Sequence, residues 1–228
     1  MNTTVSKPLV SVIITCYNNG LYIGQAIDSV LEQSYLNLEV IIINDGSTDD
    51  SQHIIKTFED CRINLINQPN QGVIAARNNG IKKAKGLYFL PLDGDDYLDS
   101  SFIEKAVFYL QEQSRLGFIS CYCRIFYTGG NEYIWREDNL DLLSFLINTR
   151  VVSTCLIRRS CWEDVGGYDP VMNEGFEDYE FFVSILSKGW LAHKIPEVLF
   201  HYRRHNTGSR DTNARLNSVN LKLRIFDK

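Results

Sequence analysis

Three carboxylates stand within four positions, at Asp93, Asp95 and Asp96, directly after an apolar stretch. Carboxylates this close repel one another unless a cation or bound water compensates their charge. Carboxylate oxygens with few other ligands suit Mg²⁺ or Mn²⁺, and both cations also hold the phosphates of substrates. The cluster therefore predicts Mn²⁺ or Mg²⁺ bound beside a phosphorylated ligand, with a solvated acidic turn as the alternative interpretation.

A calcium-binding loop is a second alternative for this cluster, because Glu104 is twelfth counting from Asp93. That loop requires glycine at its sixth position, where this chain has Leu98, and it follows a helix, whereas a predicted strand precedes this cluster. Ser101 and Glu104 have the spacing of a capping box that opens a helix. We therefore exclude the calcium loop and predict the capping box.

Two further polar residues follow apolar runs of the kind that form buried parallel strands. Thr15 ends one run, Asp45 comes just after a second, and Asp93 follows a third. Runs rich in β-branched residues are typical of strands covered on both faces. Because open α/β sheets bind ligands outside the carboxyl ends of their strands, we expect these three side chains at one rim. The three runs cover residues 9–15, 39–43 and 87–92.

Helical periodicity fills the segments between the predicted strands. Apolar residues recur at helical spacing from Ile23 to Leu31, and this alternation of strand and helix predicts a mostly parallel sheet flanked by helices. After about residue 115 the alternation stops, and a mixed arrangement is predicted. The remaining predicted elements are helices at about 54–58 and 72–85, a strand at 63–66, a hairpin from 117–126 and 132–136, a helix over 179–186 and a strand at 198–204.

Composition and short motifs exclude several classes of protein. The net charge of −5 over 228 residues argues against nucleic acid as a partner. Neither a P-loop nor a G-x-G-x-x-G motif after the first strand is present. Six cysteines without a C-x-x-C pair predict reduced thiols in a cytoplasmic protein. Residues 1–8 lack the apolar centre of a signal peptide, and no apolar run approaches the roughly 18 residues that span a bilayer.

Six motifs in order give the chain a recognisable pattern. It resembles the family 2 inverting glycosyltransferases of the GT-A fold over roughly residues 8–208. The resemblance implies one GT-A domain over 1–228, with a Rossmann-like nucleotide-sugar-binding half at about 8–115 and a smaller mixed acceptor half at about 116–208. The motifs are VSVIITCYN at 10–18, IIINDGSTD at 41–49, GVIAARNNG at 72–80, LDGDD at 92–96, GGYD at 166–169 and EDYEFF at 177–182.

The resemblance implies a set of donor-binding residues. Thr15 and Tyr17 would line the nucleobase pocket, and Asp45 would accept a hydrogen bond from the base, usually uracil. Asp93 would face the ribose, and Asp95 would hold the cation on the diphosphate. Asn18 and Arg77 belong to the same donor-binding set. Asn44 departs from the pattern, because many members carry Asp at this position.

The resemblance also implies that Asp178 is the general base, which takes the proton of an acceptor hydroxyl. Glu177 beside it is predicted to be structural or acceptor-facing. Asp96 would support the cation, and His205 is a third candidate metal ligand if its loop folds over the donor, with a plain surface loop as the alternative. Trp135, on the predicted hairpin, is the aromatic candidate for contact with the acceptor.

Function and partners follow as expectations from this resemblance. The donor would be a nucleoside diphosphate sugar, usually a UDP-sugar, and the acceptor a saccharide or a lipid-linked acceptor in cell-surface polysaccharide or glycolipid synthesis. We expect a cytoplasmic protein, with the inner face of the membrane and a homodimer left open. Residues 213–228 are predicted to form a terminal helix with Leu216, Val219, Leu223 and Phe226 on one face, packed on the domain or lying on a membrane surface.

Two rival functions remain at this point. A sugar nucleotidyltransferase would share the sheet and the metal, but it normally carries a Gly-rich basic loop after the first strand, where this chain reads CYNNG at 16–20. A non-catalytic nucleotide-sugar-binding protein is the second rival, and the presence of Asp45, Asp95 and Asp178 argues against it.

Overall fold

A computed structural model describes residues 7–205 together with Lys222 and Ile225. Within residues 7–205 all the strands belong to one sheet, which runs through both predicted halves of the chain. The strands are β1 (Val10–Cys16), β2 (Leu38–Asp45), β3 (Ile63–Gln68), β4 (Tyr88–Asp93), β5 (Tyr97–Leu98), β6 (Leu116–Tyr127), β7 (Glu132–Trp135), β8 (Leu156–Arg158) and β9 (Leu191–Arg204).

The strand order is β3-β2-β1-β4-β8-β6-β9-β5, and β7 pairs with β6 outside this path. The first four strands of this order are parallel, as the alternating pattern predicts. β8 is antiparallel to both β4 and β6, whereas β9 is parallel to β6. This mostly parallel sheet with flanking helices confirms the predicted α/β fold class, and the division at residue 115 remains a prediction.

The helices are α1 (Ile23–Leu31), α2 (Ser51–Ile55), α3 (Val73–Lys83), α4 (Phe102–Glu112), α5 (Leu142–Ile147), α6 (Arg159–Val165) and α7 (Glu177–Ser187). They cover both faces of the sheet. On β1, Val12 and Ile14 point into a core shared with α1, α2 and α4, while Ile13 between them points into a second core with α3, α5, α6 and α7. Because both faces are buried, five of the seven residues of β1 are apolar.

The register of the parallel strands places the polar strand ends together. Thr15 pairs with Asp93 on β4 and with Ile43 on β2, and Asp45 follows two residues later on β2. The three strands end at the same rim, as predicted. This rim carries the candidate site described below.

Several details differ from the sequence-based predictions. α2 ends at Ile55, so Phe58 lies beyond that helix. The capping box prediction is wrong: the Ser101 hydroxyl donates to Asp99 Oδ1 at 2.8 Å, and Glu104 accepts from the Ser34 hydroxyl at 2.8 Å. Asp99 offers Ser101 an acceptor two residues away, so the hydroxyl bonds within the turn before the helix and not to the helix backbone.

The cysteines and the C-terminal segment complete the fold. All six cysteines are free, and only Cys61 is exposed. Ile225 is helical and buried in the second core, and Lys222 Nζ donates to the Ile147 carbonyl at 3.2 Å. The predicted apolar face of Leu216, Val219, Leu223 and Phe226 lies outside the described residues. No helix in the described part of the chain is long and apolar enough to cross a membrane.

Candidate active site at the rim of the sheet

A cavity of about 440 Å³ opens at the carboxyl ends of β1, β2 and β4. Five of the predicted donor-binding residues line it, and we call it the donor cavity. Its opposite wall is the segment from Asn70 to Val73. The residues predicted from separate strands therefore face one space; these are Thr15, Tyr17, Asp45, Asp93 and Asp95.

Asp45 holds the wall of the donor cavity in place. Its Oδ1 accepts hydrogen bonds from Gln68 Nε2 at 2.7 Å and from the Gln71 backbone N–H at 2.9 Å, and its Oδ2 accepts from the Gly72 N–H at 2.9 Å. Gly72 has a φ of 84°, a conformation that glycine adopts without penalty. The buried Asp45 carboxylate thus fixes the backbone that faces a bound ligand.

Asn18 lies beside the donor cavity and not among its lining residues. It adopts a left-handed conformation with φ of 54°, its N–H donates to the Ser47 hydroxyl at 3.0 Å, and its Oδ1 accepts from the Thr48 N–H at 2.8 Å. These bonds join the turns that follow β1 and β2. Direct contact of Asn18 with a donor remains a prediction.

A second cavity of about 420 Å³ adjoins the first, and we call it the acceptor cavity. The predicted acceptor-side residues Trp135 and Glu177 line it, as does the predicted base Asp178. Val73 and Asp93 line both cavities. The two spaces therefore meet at the end of β4.

Arg77 connects residues of the two cavities. It is buried, its Nη2 donates to both carboxylate oxygens of Asp93 at 2.9 and 3.0 Å, and its Nη1 donates to Glu177 Oε1 at 3.2 Å. Burial alone would lower the pKa of Arg77, but the charges of Asp93 and Glu177 raise it above its usual value. Arg77 lines the acceptor cavity and not the donor cavity, so its donor-binding role remains a prediction.

Asp178 lies in the first turn of α7, where acidic side chains are favoured by the helix dipole. Its side chain is half-buried, and its Oδ1 accepts from the Tyr179 N–H at 2.7 Å. Phe176, just before the helix, has a φ of 62° and turns the chain into α7. The carboxylate therefore lies at the wall of the acceptor cavity, and its role as a general base remains a prediction.

The three predicted metal ligands differ in their surroundings. Asp95 Oδ2 and His205 Nε2 lie 2.9 Å apart. Burial and the neighbouring charge of Asp93 raise the pKa of Asp95 above the usual carboxyl range. Asp96 is fully buried and does not line the donor cavity; its Oδ1 accepts from the Arg203 N–H at 2.8 Å. Within the described residues its Oδ2 has no hydrogen-bond partner, and burial raises the pKa of Asp96 strongly.

Asp95 and His205 fit a divalent cation that is coordinated partly by the protein and partly by a bound ligand. The Asp95 carboxylate lines the donor cavity and contacts the His205 imidazole, and both groups are ligands that Mn²⁺ accepts. No group of three or more His, Cys, Asp or Glu side chains in the described residues could hold a metal alone. Oxygens of a bound diphosphate would complete the coordination, as is usual for Mg²⁺ and its relatives at phosphate sites.

Comparison with known proteins decides the family. Residues 11–166 match the family model described as Glycosyl transferase family 2. The chain belongs to this family. An uncharacterized glycosyltransferase of Haemophilus influenzae is 33% identical over 87% of this chain and 66% of its own length. The putative teichuronic acid biosynthesis glycosyltransferase TuaG of Bacillus subtilis is 32% identical over 86% of this chain and 79% of its own length.

A third family 2 relative has a specific name. WfaP of Escherichia coli, a UDP-Glc:alpha-D-GlcNAc-diphosphoundecaprenol beta-1,3-glucosyltransferase, is 32% identical over 86% of this chain and 78% of its own length. The chain spans about two thirds of the length of the Haemophilus influenzae relative.

Solved structures of low sequence identity share the fold of this glycosyltransferase. The Staphylococcus aureus TarS fragment 1–349 in complex with UDP-GlcNAc aligns with a TM-score of 0.74 and 18% identity, over 92% of this chain and 65% of that chain. The mannosyltransferase PcManGT of Pyrobaculum calidifontis, in complex with GDP-Man and Mn²⁺, aligns with a TM-score of 0.67 and 22% identity, over 86% and 57%. Both likenesses confirm the GT-A fold.

Some residues of the site were missed by the sequence analysis. Tyr133 and Tyr202 line the acceptor cavity beside Trp135, and Arg203 contacts the acidic turn. Strand periodicity could have found Tyr133, because it lies two positions before Trp135 and so on the same face. No local signal identifies Arg203, because its hydrogen-bond partners lie more than 100 positions away along the chain.

Proposed function

We propose that this chain transfers a sugar from a nucleoside diphosphate sugar, with a UDP-sugar as the expected donor, to an acceptor hydroxyl with inversion at the anomeric carbon. One observation carries the proposal: the donor cavity contains Asp45 and Asp95, the acceptor cavity contains Asp178, and the two meet at Asp93. A sugar held across this junction would present its anomeric carbon to the acceptor side. The names of TuaG and WfaP and the ligand of TarS support the proposed transfer of a sugar from a nucleotide sugar.

Asp178 is the proposed general base. The acceptor hydroxyl oxygen forms a bond to the anomeric carbon while the bond from that carbon to the diphosphate oxygen breaks. The hydroxyl proton passes to the Asp178 carboxylate, and the products are a glycoside and a nucleoside diphosphate. A positioned base of this kind contributes roughly 10²–10⁴-fold to the rate.

Asp95 and His205 are the proposed protein ligands of Mn²⁺ or Mg²⁺, with Asp96 in support. When bound, the cation would neutralise charge on the departing diphosphate. Asp96 would support the cation indirectly: its Oδ1 accepts a hydrogen bond from the Arg203 N–H, and this bond keeps the end of β9 against the acidic turn. Arg77 pairs with both Asp93 and Glu177 and so connects the two cavity walls.

Turnover by the wild type and by Asp178→Asn tests the proposal. Hydrolysis and transfer should be measured against a panel of nucleotide sugars with Mn²⁺. We expect Asp178→Asn to lose about 10²–10⁴-fold in kcat while its affinity for the nucleotide stays unchanged. Equal, negligible turnover by both proteins with donor binding retained would favour a non-catalytic binder.

A further inference from the structure

Arg203, near the end of β9, is attached to the acidic turn by its backbone and by its side chain. Its N–H donates to Asp96 Oδ1 at 2.8 Å, and its Nε donates to the Asp95 carbonyl oxygen at 2.9 Å. Two residues later along the same segment, His205 Nε2 lies 2.9 Å from Asp95 Oδ2. The segment that carries the imidazole is therefore bonded to the turn that carries the carboxylate.

The guanidinium of Arg203 also contacts two aromatic rings. Its central carbon lies 4.3 Å from the centroid of Tyr22 and 4.7 Å from that of Phe126. In addition, Nη2 donates to Gln25 Oε1 at 2.7 Å. Arginine can stack its flat faces on rings and donate from its edge at the same time, and lysine cannot do both.

Tyr22 connects this arrangement to the imidazole as well. The Tyr22 ring, which stacks on Arg203, lies 5.4 Å from the His205 ring. Phe126 pairs with Arg203 across the β6–β9 ladder, so its position is fixed by the sheet. The rings and the acidic turn therefore determine where the end of β9 lies relative to Asp95.

We propose that Arg203 is a positioning residue that sets the separation of Asp95 and His205 for a divalent cation without touching the cation itself. The proposal rests on the metal-assisted function proposed above. Residues that hold metal ligands in place typically change metal affinity roughly 10- to 100-fold when they are replaced. A direct role of Arg203 on the donor diphosphate is the competing explanation.

Mn²⁺ titration of the full chain, followed by the electron paramagnetic resonance signal of the free ion, tests this role. Arg203→Lys keeps the positive charge but loses the planar guanidinium that contacts the rings and donates from its edge. We expect it to weaken Mn²⁺ binding in the presence of UDP by about 10-fold or more, with UDP affinity in the absence of metal unchanged. Arg124→Lys is the matched control, because Arg124 is an exposed β6 residue paired with Glu132, and it should bind Mn²⁺ like the wild type.

The possible outcomes distinguish a failure of the positioning role from a failure of the proposed metal site. Unchanged Mn²⁺ affinity in Arg203→Lys overturns the positioning role, and an equal loss of metal-free UDP binding assigns Arg203 to the phosphates. Absence of Mn²⁺ binding by the wild type with UDP contradicts the proposed metal site itself. If Arg203→Lys does not fold, Tyr22→Leu replaces it in the test. Tyr22→Leu should weaken Mn²⁺ binding, whereas Tyr22→Phe, which keeps the ring, should bind Mn²⁺ like the wild type. Equal Mn²⁺ affinities of Tyr22→Leu and Tyr22→Phe would reject the proposal.

Discussion

At the scale of single residues, the site depends on a buried arginine between two carboxylates. Arg77 has 3% of its surface exposed and donates to Asp93 and Glu177, which belong to different walls of the site. Its two partners lie 16 and 100 positions away in the sequence. The motif that contains Arg77 could be recognised from the sequence, but this bridge could not, because nothing local indicates a partner so distant.

Replacing Arg77 should cost both stability and activity. Arg77→Met leaves two carboxylates partly buried without their cation, and we expect a loss of about 3–5 kcal/mol in the free energy of unfolding. Arg77→Lys, which keeps the charge but not the fork, should lose less stability and still lower kcat. Urea unfolding and steady-state kinetics measure the two effects. Arg124→Lys, at a solvent-exposed pair with Glu132, is the control, and an equally small effect of Arg77→Met would contradict the bridge.

At the scale of elements, the parallel half of the sheet could be predicted and the second half only in part. β1 and β2 are buried at nearly every position because helices cover both of their faces, and apolar residues dominate both strands. β8 has three residues, and the early part of β9 mixes exposed and half-buried positions, so neither has a strong periodic signal. The hairpin of β6 and β7 was predicted because alternation and a glycine turn mark it.

The close approach of α3 to the sheet gives a prediction at this scale. A Cβ placed on Gly80 would overlap Cγ2 of the buried Ile13, and it would lie 3.3 Å from Ile43 Cγ1. Gly80→Ala should therefore destabilise the protein by about 1–3 kcal/mol, as overpacking of a core does. Gly24→Ala in α1 is the matched control, because its Cβ would meet only ordinary contacts at 3.8 and 4.0 Å.

The measurement is the free energy of unfolding of both variants in urea. Gly24→Ala should be neutral or up to about 1 kcal/mol more stable, since alanine favours the helix. Equal stability of the two variants would show that α3 has room to move away from β1.

At the scale of the whole molecule, two half-buried histidines, His193 and His201, predict how stability depends on pH. Burial lowers the pKa of His193 below its usual value of 6.5, and burial together with the charge of Arg124 lowers the pKa of His201. On acidification the two imidazoles are protonated at a higher pH in the unfolded chain than in the folded protein. The stability that they contribute is therefore fully present above about pH 6.5 and falls as the pH drops from there towards the lowered pKa values of the folded state.

Unfolding in urea at about pH 7.5 and pH 5.5 tests this dependence. The variant His193→Gln/His201→Gln should lose less stability on acidification than the wild type does. His53→Gln, at an exposed position on α2, should behave like the wild type. An unchanged acid response in the double variant would assign the pH dependence to other groups.

The central claim is that the rim of this sheet binds a nucleoside diphosphate together with a divalent cation, and thermal unfolding with UDP and Mn²⁺ tests it most directly. At about 100 times the dissociation constant, binding should raise the Tm of the wild type by roughly 5–10 °C. Asp95→Asn should keep a smaller response to UDP alone and lose the additional response to Mn²⁺. A Tm that stays constant with UDP, with GDP and with either nucleotide plus Mn²⁺ would contradict the account.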